Sequence, residues 1–195
     1  MPERPSGLLA RYLFADEVNE IVDVQPRRLI STHPQPPREV TGLEAHQAEL
    51  RCCLARAEHA VWITSPFVSA DAITTDGVDV QIRQAVERGV VVTCYIDARL
   101  NCDSHGVERS AAKLGKALLH AAGATVRIAR NIHNKTLCVD DWLISEGSFN
   151  WLSAQRRDRG SYRRYERSLV YESVSLQPRI DKFVDAMESR VIRPG

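Results

Sequence analysis

Cysteine is scarce and irregularly placed in this chain of 195 residues. The five cysteines form an odd set with no pair separated by two residues: Cys52, Cys53, Cys94, Cys102 and Cys138. This pattern argues against a disulfide framework and against a zinc knuckle. Because Cys94 and Cys138 lie in apolar runs, we expect them to be small core residues in a reducing compartment.

Long apolar segments and a net charge are lacking as well. No stretch is long enough to cross a bilayer, and the first residues, MPERPSGLLARYLF, lack the apolar run of a secretory signal. We therefore expect a cytoplasmic protein without a membrane interaction. The formal charge is only +1, so any attraction to a polyanion must come from local clusters of charge.

Proline is concentrated near the amino-terminus. Six of the nine prolines lie within the first 37 residues, and residues 31–40 are expected to hold no regular structure because each proline removes a backbone donor. Residues 7–24 show a helical pattern that is too short for a domain. The sequence therefore predicts a helix and a proline-rich arm over residues 1–41, followed by one domain over residues 42–195.

The predicted domain alternates between helices and strands. Apolar periodicity predicts helices over residues 43–58, 78–87, 110–122 and 180–191. Strands are predicted over residues 60–64, 90–96, 125–129, 135–139, 142–145 and 168–171. Gly89 and Gly123 mark helix ends, and Asp140 with Asp141 forms a tight turn. Such alternation predicts an α/β sandwich.

One segment carries a specific signature. The residues from 133 to 150 read HNKTLCVDDWLISEGSFN and fit the pattern H-x-K-x4-D-x6-G-S-x-N at every fixed position. The matched residues are His133, Lys135, Asp140, Gly147, Ser148 and Asn150. This histidine-lysine-aspartate signature resembles that of the phospholipase D superfamily, and its six identities are far more specific than a lone glycine motif. The resemblance implies a mixed central sheet flanked by helices, with one motif per chain.

The resemblance also implies a phosphodiesterase that works through a covalent phosphohistidine. His133 would be the nucleophile, because a covalent intermediate splits hydrolysis into two displacements with lower barriers. Lys135, Ser148 and Asn150 would stabilise the charge on the phosphoryl oxygens. A nucleophilic histidine also needs an acceptor for its far nitrogen, and Glu166 is the candidate.

Asp140 ranks below these residues as a candidate for catalysis. The resemblance implies an aspartate away from the reacting phosphate, so a structural role in the turn is expected. Lysine and histidine supply the positive charge, and the sequence shows no carboxylate cluster suited to magnesium or calcium. We therefore expect neither a metal ion nor another cofactor.

The chain holds only one copy of the motif. Cleavage of a phosphodiester also needs an acid to protonate the leaving oxygen, and in this superfamily a histidine of a second motif supplies it. The resemblance therefore implies a two-fold symmetric homodimer that places two copies of His133 in one shared cleft.

An arginine-rich segment directly follows the motif. Residues 155–167 read QRRDRGSYRRYER, in which arginines suit phosphates and tyrosines suit stacking on bases. The predicted nucleic-acid-binding residues are Arg156, Arg157, Arg159, Arg163 and Arg164. A solvated charged loop without specific function is the alternative interpretation of this segment.

Three functions remain open at this point. The arginine-rich segment and the short single-motif chain favour an endonuclease of the small dimeric branch, acting on DNA rather than RNA. The second alternative is a phospholipase D or a phospholipid-transferring enzyme. The third is a non-catalytic nucleic-acid binding module of a larger DNA-processing protein, which would have no need of His133.

Overall fold

The computed structural model describes residues 36–154, 165–174 and 176–193. Its strands are β1 (Arg38–Thr41), β2 (Ala60–Thr64), β3 (Val91–Asp97), β4 (Thr125–Ala129), β5 (Lys135–Val139), β6 (Leu143–Gly147) and β7 (Arg167–Glu172). Its helices are α1 (Leu43–Arg56), α2 (Ala70–Thr75), α3 (Val78–Glu87), α4 (Ser110–Ala121) and α5 (Gln177–Glu188). None of these helices is both long and apolar enough to cross a membrane.

The strands form one mixed sheet in the order β1-β7-β6-β5-β2-β3-β4. β2, β3 and β4 are parallel, whereas β1, β7, β6, β5 and β2 pair antiparallel with their neighbours. The parallel strands are joined by helical crossovers, as parallel pairs require. The predicted α/β sandwich with a mixed central sheet is confirmed.

Helices cover both faces of the sheet. Leu137 and Val139 of β5 belong to the main core cluster, which also contains residues of α1 to α4. Cys138 points to the opposite face and packs in a cluster with Ile180 of α5. This alternation along β5 is the two-residue period of a strand that is buried on both sides. Cys94 and Cys138 are fully buried, as expected.

The observed elements follow most of the predicted ranges. β2, α3 and β4 have the predicted bounds, and Gly89 and Gly123 adopt the left-handed backbone that helix ends favour. The last helix starts at Gln177, three residues before the predicted start at residue 180, because Pro178 suits the first turn of a helix. The short helix α2 was not predicted.

The prediction that residues 31–40 lack regular structure is wrong for their last part. Arg38–Thr41 form an edge strand that pairs antiparallel with β7. Pro36 and Pro37 precede this strand, so it keeps its backbone donors. The Arg38 guanidinium binds Glu49 at 2.7 Å and Glu172 at 2.9 Å. The sheet therefore begins before residue 42, and residues 1–35 of the predicted arm lie outside the described residues.

Candidate active site

The motif residues meet at one edge of the sheet. β5 runs antiparallel to β2 with Thr136 opposite Thr64, so the start of β5 lies beside the carboxyl end of β2. On its other side, Lys135 pairs with Gly147 at the end of β6. Two parallel strands, β2 and β3, also end at this edge, which is where α/β sheets commonly form their sites.

His133 and Lys135 are in direct contact. Lys135 Nζ lies 3.2 Å from His133 Nδ1 and donates a hydrogen bond of 2.7 Å to the His133 carbonyl oxygen. His133 lies two residues before β5 instead of inside a strand, so this contact does not depend on a shared strand face. The His133 ring is exposed and stands edge-on to the Phe67 ring, with centroids 6.4 Å apart.

Lys135 is a buried cation at the base of this site. Only 9% of the residue is exposed. Burial lowers the pKa of Lys135 below its usual value, and the Glu166 carboxylate acts in the opposite direction. A desolvated ammonium interacts more strongly with an anion than a hydrated one does, so Lys135 is suited to stabilising charge on a phosphoryl group.

Glu166 and Ser148 form a second polar pair. Ser148 Oγ donates a hydrogen bond to Glu166 Oε2 and accepts one from the Arg167 backbone N–H at 3.1 Å. The Ser148 backbone N–H donates to the Arg167 carbonyl oxygen at 3.0 Å. Among the described residues, no hydrogen bond joins Glu166 to His133. The carboxylate expected to hold the far nitrogen of His133 instead holds Ser148 and acts on Lys135.

Gly147 is required by the close approach of β6 and β7. A Cβ atom at this position would overlap the Arg167 carbonyl oxygen and the Ser168 side chain. The missing side chain thus allows β7 to place Glu166 beside Ser148. Asn150 follows, and its Oδ1 is buried without a hydrogen-bond partner among the described residues. An unpaired buried acceptor of this kind carries a desolvation cost in a folded protein.

Asp140 lies at the opposite end of β5, roughly 20 Å along the chain from His133 at strand spacing. Its carboxylate accepts hydrogen bonds from the backbone N–H groups of residues 58, 59 and 60, at 3.0, 2.8 and 2.8 Å, and from Trp142 Nε1 at 3.3 Å. Its backbone is left-handed, with φ 47°. These contacts tie the start of β2 to the β5–β6 turn.

Two buried polar residues near the site were not predicted. Asp97 ends β3, and its carboxylate accepts backbone hydrogen bonds from Arg99 at 2.8 Å, Leu100 at 3.0 Å and Ile132 at 3.0 Å. Asn101 binds the backbone of Val68, Pro66 and Asp97. Through these contacts, Asp97 and Asn101 connect the segments that follow β2, β3 and β4, and His133 lies in the last of these segments. Their position after a buried strand was the available signal.

The arginines predicted to bind nucleic acid come shortly after the motif in the sequence. Arg156, Arg157, Arg159, Arg163 and Arg164 all lie in residues 155–164, outside the described residues. Arg167, which is described, forms an ion pair with Glu39 at 2.7 Å and joins β7 to β1. The described part of the site therefore consists of His133, Lys135, Ser148, Asn150 and Glu166, with Phe67 beside the histidine ring.

Residues 50–187, most of the chain, match the family model described as cardiolipin synthase, PLD-like domain. The chain belongs to the phospholipase D superfamily. This family assignment agrees with the motif and with the mixed sheet that carries it. No curated protein sequence gives a significant match to the chain.

Several solved structures share the fold. Nuc, a phospholipase D family member from Salmonella typhimurium, is 18% identical with a TM-score of 0.59, and the match covers 83% of this chain and 100% of Nuc. NucT from Helicobacter pylori is 17% identical with a TM-score of 0.56, covering 80% of this chain and 98% of NucT. Phosphatidylserine synthase from Haemophilus influenzae is 13% identical with a TM-score of 0.55, covering 80% of this chain and 39% of the synthase.

Proposed function

We propose that this protein is a metal-independent nuclease that cleaves phosphodiester bonds through a covalent phosphohistidine. The observation that carries this proposal is the exposed His133 ring in contact with the buried ammonium of Lys135, at a sheet edge that also holds Ser148 and Asn150. An accessible imidazole beside a desolvated cation has the two features that attack on a phosphate anion needs.

In the first step, an unprotonated ring nitrogen of His133 attacks phosphorus and forms a nitrogen–phosphorus bond. The phosphorus–oxygen bond to the leaving group breaks, and the leaving oxygen takes a proton from an acid. Lys135 and the Asn150 amide group stabilise the negative charge on the non-bridging oxygens, and the Ser148 hydroxyl joins them by turning its hydrogen bond from Glu166 to the phosphate. Glu166 holds the Ser148 hydroxyl and maintains the charge of Lys135.

In the second step, water attacks phosphorus, passes a proton to the conjugate base of that acid, and displaces His133. The acid in this proposal is the His133 of a second copy of the chain, because the sequence supplies one motif only. A two-fold axis through the cleft would bring the two rings to opposite sides of the phosphate. The protein therefore acts as a homodimer with a shared site.

A dimer with a shared site makes a quantitative prediction for mixed subunits. When wild-type and His133→Ala chains are mixed in equal amounts and allowed to exchange, only the wild-type homodimer is active. Activity then falls to about a quarter of that of the same total protein as wild type, whereas independent subunits would retain about half. A protein that sediments as a monomer at the assay concentration and is still active would contradict the shared site.

Two observations support a nucleic acid as the substrate. The chain matches nearly the full length of Nuc and NucT but only 39% of the phosphatidylserine synthase. The arginine-rich residues 155–167 follow the motif directly and contain tyrosines suited to base stacking. We propose an endonuclease that prefers DNA to RNA, located in the cytoplasm and working alone or beside a larger DNA-processing protein.

Independence from metal ions follows from the proposed chemistry, in which Lys135 supplies the positive charge. Within the described residues, no three histidine, cysteine, aspartate or glutamate side chains lie close enough to share a metal ion. Activity is therefore expected to persist in EDTA. Loss of cleavage on chelation, with recovery on adding a divalent cation, would overturn this part of the proposal.

The deciding experiment is a cleavage panel in EDTA over single-stranded DNA, double-stranded DNA, RNA and phospholipid vesicles, run with wild type and His133→Ala. Cleavage of nucleic acid by wild type only is the expected result. Release of lipid head groups without nucleic-acid cleavage would favour the phospholipid-transferring alternative, which the description of the family model supports. Binding of nucleic acid by both proteins, without cleavage by either, would favour a binding module.

A further inference from the structure

A pocket of about 630 Å³ lies at the carboxyl end of β4, outside the site described above. Its walls come from the loop after β4 and from the segment that follows α5, including Arg130, Asn131, Ser189, Arg190 and Arg193. β4 is parallel to β3, so this pocket opens at the same edge of the sheet as the candidate active site. Neither the motif nor the proposed mechanism uses these residues.

Backbone hydrogen bonds hold the two walls together. The Arg130 N–H donates to the Arg190 carbonyl oxygen at 3.0 Å, and the Ile192 N–H donates to the Ile128 carbonyl oxygen at 2.8 Å. Between them, Ala129 and Val191 form an isolated antiparallel bridge. The segment after α5 thus continues the sheet edge. Backbone pairing fixes the positions of Arg130 and Arg190 before any ligand binds, and Arg193 follows the paired Ile192.

The pocket is positively charged. Arg130, Arg190 and Arg193 are exposed, and none of them pairs with a carboxylate among the described residues. Arg190 Nη1 donates to the Ala186 carbonyl oxygen at 2.6 Å, which orients its guanidinium at the end of α5. The nearest acidic side chain in sequence, that of Glu188, accepts a hydrogen bond from the Tyr95 hydroxyl at 2.8 Å.

The distance to the reacting histidine suits a nucleic-acid strand. Three residue steps join Arg130 to His133, so their Cα atoms lie no more than about 11 Å apart. Neighbouring phosphates of a strand lie several ångströms apart in space, so this reach corresponds to a separation of one or a few nucleotides. Asn131 turns the chain between the two residues with a left-handed φ of 55°, and Asp97 holds the intervening Ile132 backbone.

We propose that the arginine pocket formed by Arg130, Arg190 and Arg193 binds backbone phosphates of the substrate strand, a few nucleotides from the scissile bond. This inference rests on the proposed nuclease function. Guanidinium groups bind phosphate in a bidentate manner, and such contacts position a strand without reading its sequence. The pocket extends the site from His133 towards β4, on the side away from Ser148 and β7.

The test measures binding separately from cleavage. Affinity for a labelled single-stranded oligonucleotide is measured by fluorescence anisotropy over a series of salt concentrations, in a His133→Ala background that prevents turnover. Arg130→Gln, Arg190→Gln and Arg193→Gln are combined in one variant. The combined variant is expected to bind at least about tenfold more weakly at low salt. The slope of log K against log salt should become shallower by about 2, near 0.7 for each lost phosphate contact.

Matched controls separate this effect from general loss of charge or of structure. Arg83→Gln removes an exposed arginine of α3 and is expected to leave the slope unchanged. The variant that combines Arg130→Lys with Arg193→Lys keeps the positive charge, so it should retain most of the slope measured without these substitutions. Because Arg190 also binds the end of α5, Arg130→Gln and Arg193→Gln are measured singly as well, each with an expected change of about 0.7.

Failure of this inference can be told apart from failure of the proposed function. An unchanged slope in the combined variant, while the wild type cleaves nucleic acid, overturns the pocket and leaves the nuclease standing. Arginine-dependent binding without any cleavage by wild type supports the pocket and overturns the nuclease. Arginine-dependent binding to vesicles of phosphatidylcholine and phosphatidylglycerol, with no binding of the oligonucleotide, overturns both.

Discussion

His133 and Asp140 belong to one motif but lie at opposite ends of β5, in contrasting surroundings. The His133 ring is exposed, and its polar contacts among the described residues are with Lys135. Asp140 is buried, and its carboxylate accepts four hydrogen bonds. One end of the strand keeps its polar groups available for a ligand, whereas the other end uses them within the protein.

This difference has a simple energetic meaning. Satisfied buried polar groups stabilise a fold, and exposed or unpaired ones do not. Both ends of β5 therefore need their motif residues for different reasons. Substitutions at the His133 end should lower activity at constant stability, and substitutions at the Asp140 end should lower stability at constant activity of the folded protein.

The largest expected effect is that of His133→Ala. Loss of the nucleophile should lower kcat on the order of 10⁴-fold or more, because no other group can form the covalent intermediate. The free energy of unfolding should stay within about 0.5 kcal/mol of wild type, since the ring is exposed. Single-turnover cleavage and urea unfolding measure the two quantities.

His59→Ala is the matched control, because it removes an exposed histidine at the Asp140 end of the sheet. Its activity and stability are both expected to equal those of wild type. If His133→Ala kept substantial activity, or if it unfolded the protein, the assignment of chemistry to this end of β5 would be lost.

Asp140→Asn should have the next largest effect, on stability. Asparagine tolerates the left-handed backbone at this position, but its NH₂ group cannot accept the hydrogen bonds that one carboxylate oxygen now accepts. The free energy of unfolding is expected to fall by about 3 kcal/mol. Below the new unfolding transition, kcat should remain unchanged.

Asp141→Asn provides the same change of charge one residue later, at an exposed side chain. It should alter stability by less than about 0.5 kcal/mol. A loss of kcat in folded Asp140→Asn, without a matching loss of stability, would mean that Asp140 acts in the chemistry.

The sequence predicted these two ends unequally well. The bounds of β5 and the turn at Asp140 could be predicted, because strand periodicity and turn residues are local signals. A structural role for Asp140 was implied by the family resemblance alone. The hydrogen-bond partner of Glu166 could not, since the register of β7 against β6 directs its carboxylate to Ser148. That register depends on Gly147, whose missing side chain lets the two strands approach closely.

Long-range contacts account for the other residues that were missed. Asp97 and Ile132 are 35 residues apart in sequence, and Arg130 and Arg190 meet only because the segment after α5 returns to β4. β1 is four residues long and follows two prolines, so nothing local distinguishes it from the arm before it. Pairings of this kind become visible only in the folded chain.

Asp97→Asn is predicted to affect both quantities moderately, because Asp97 is a saturated structural group at the catalytic end. Asparagine can keep the pair of hydrogen bonds to Arg99 and Leu100 but loses the one to Ile132. We expect a loss of about 1 kcal/mol in stability and about tenfold in kcat, with KM nearly unchanged.

Asp103→Asn is the matched control. Asp103 also accepts backbone hydrogen bonds, but it lies in an exposed turn, so this substitution should leave kcat unchanged. Equal kcat values for the two variants would remove Asp97 as a positioning residue.

Glu166→Gln should have the smallest effect, and it is best seen in the pH profile. Burial lowers the pKa of Lys135, and the Glu166 carboxylate raises it. If catalysis needs the ammonium form, activity falls as the pH rises through the pKa of Lys135. Removing the carboxylate lowers that pKa further, so the alkaline limb should move to lower pH. Glu87→Gln, at an exposed glutamate of α3, should leave the limb in place. A shift to higher pH, or no shift, would show that Glu166 does not maintain the charge of Lys135.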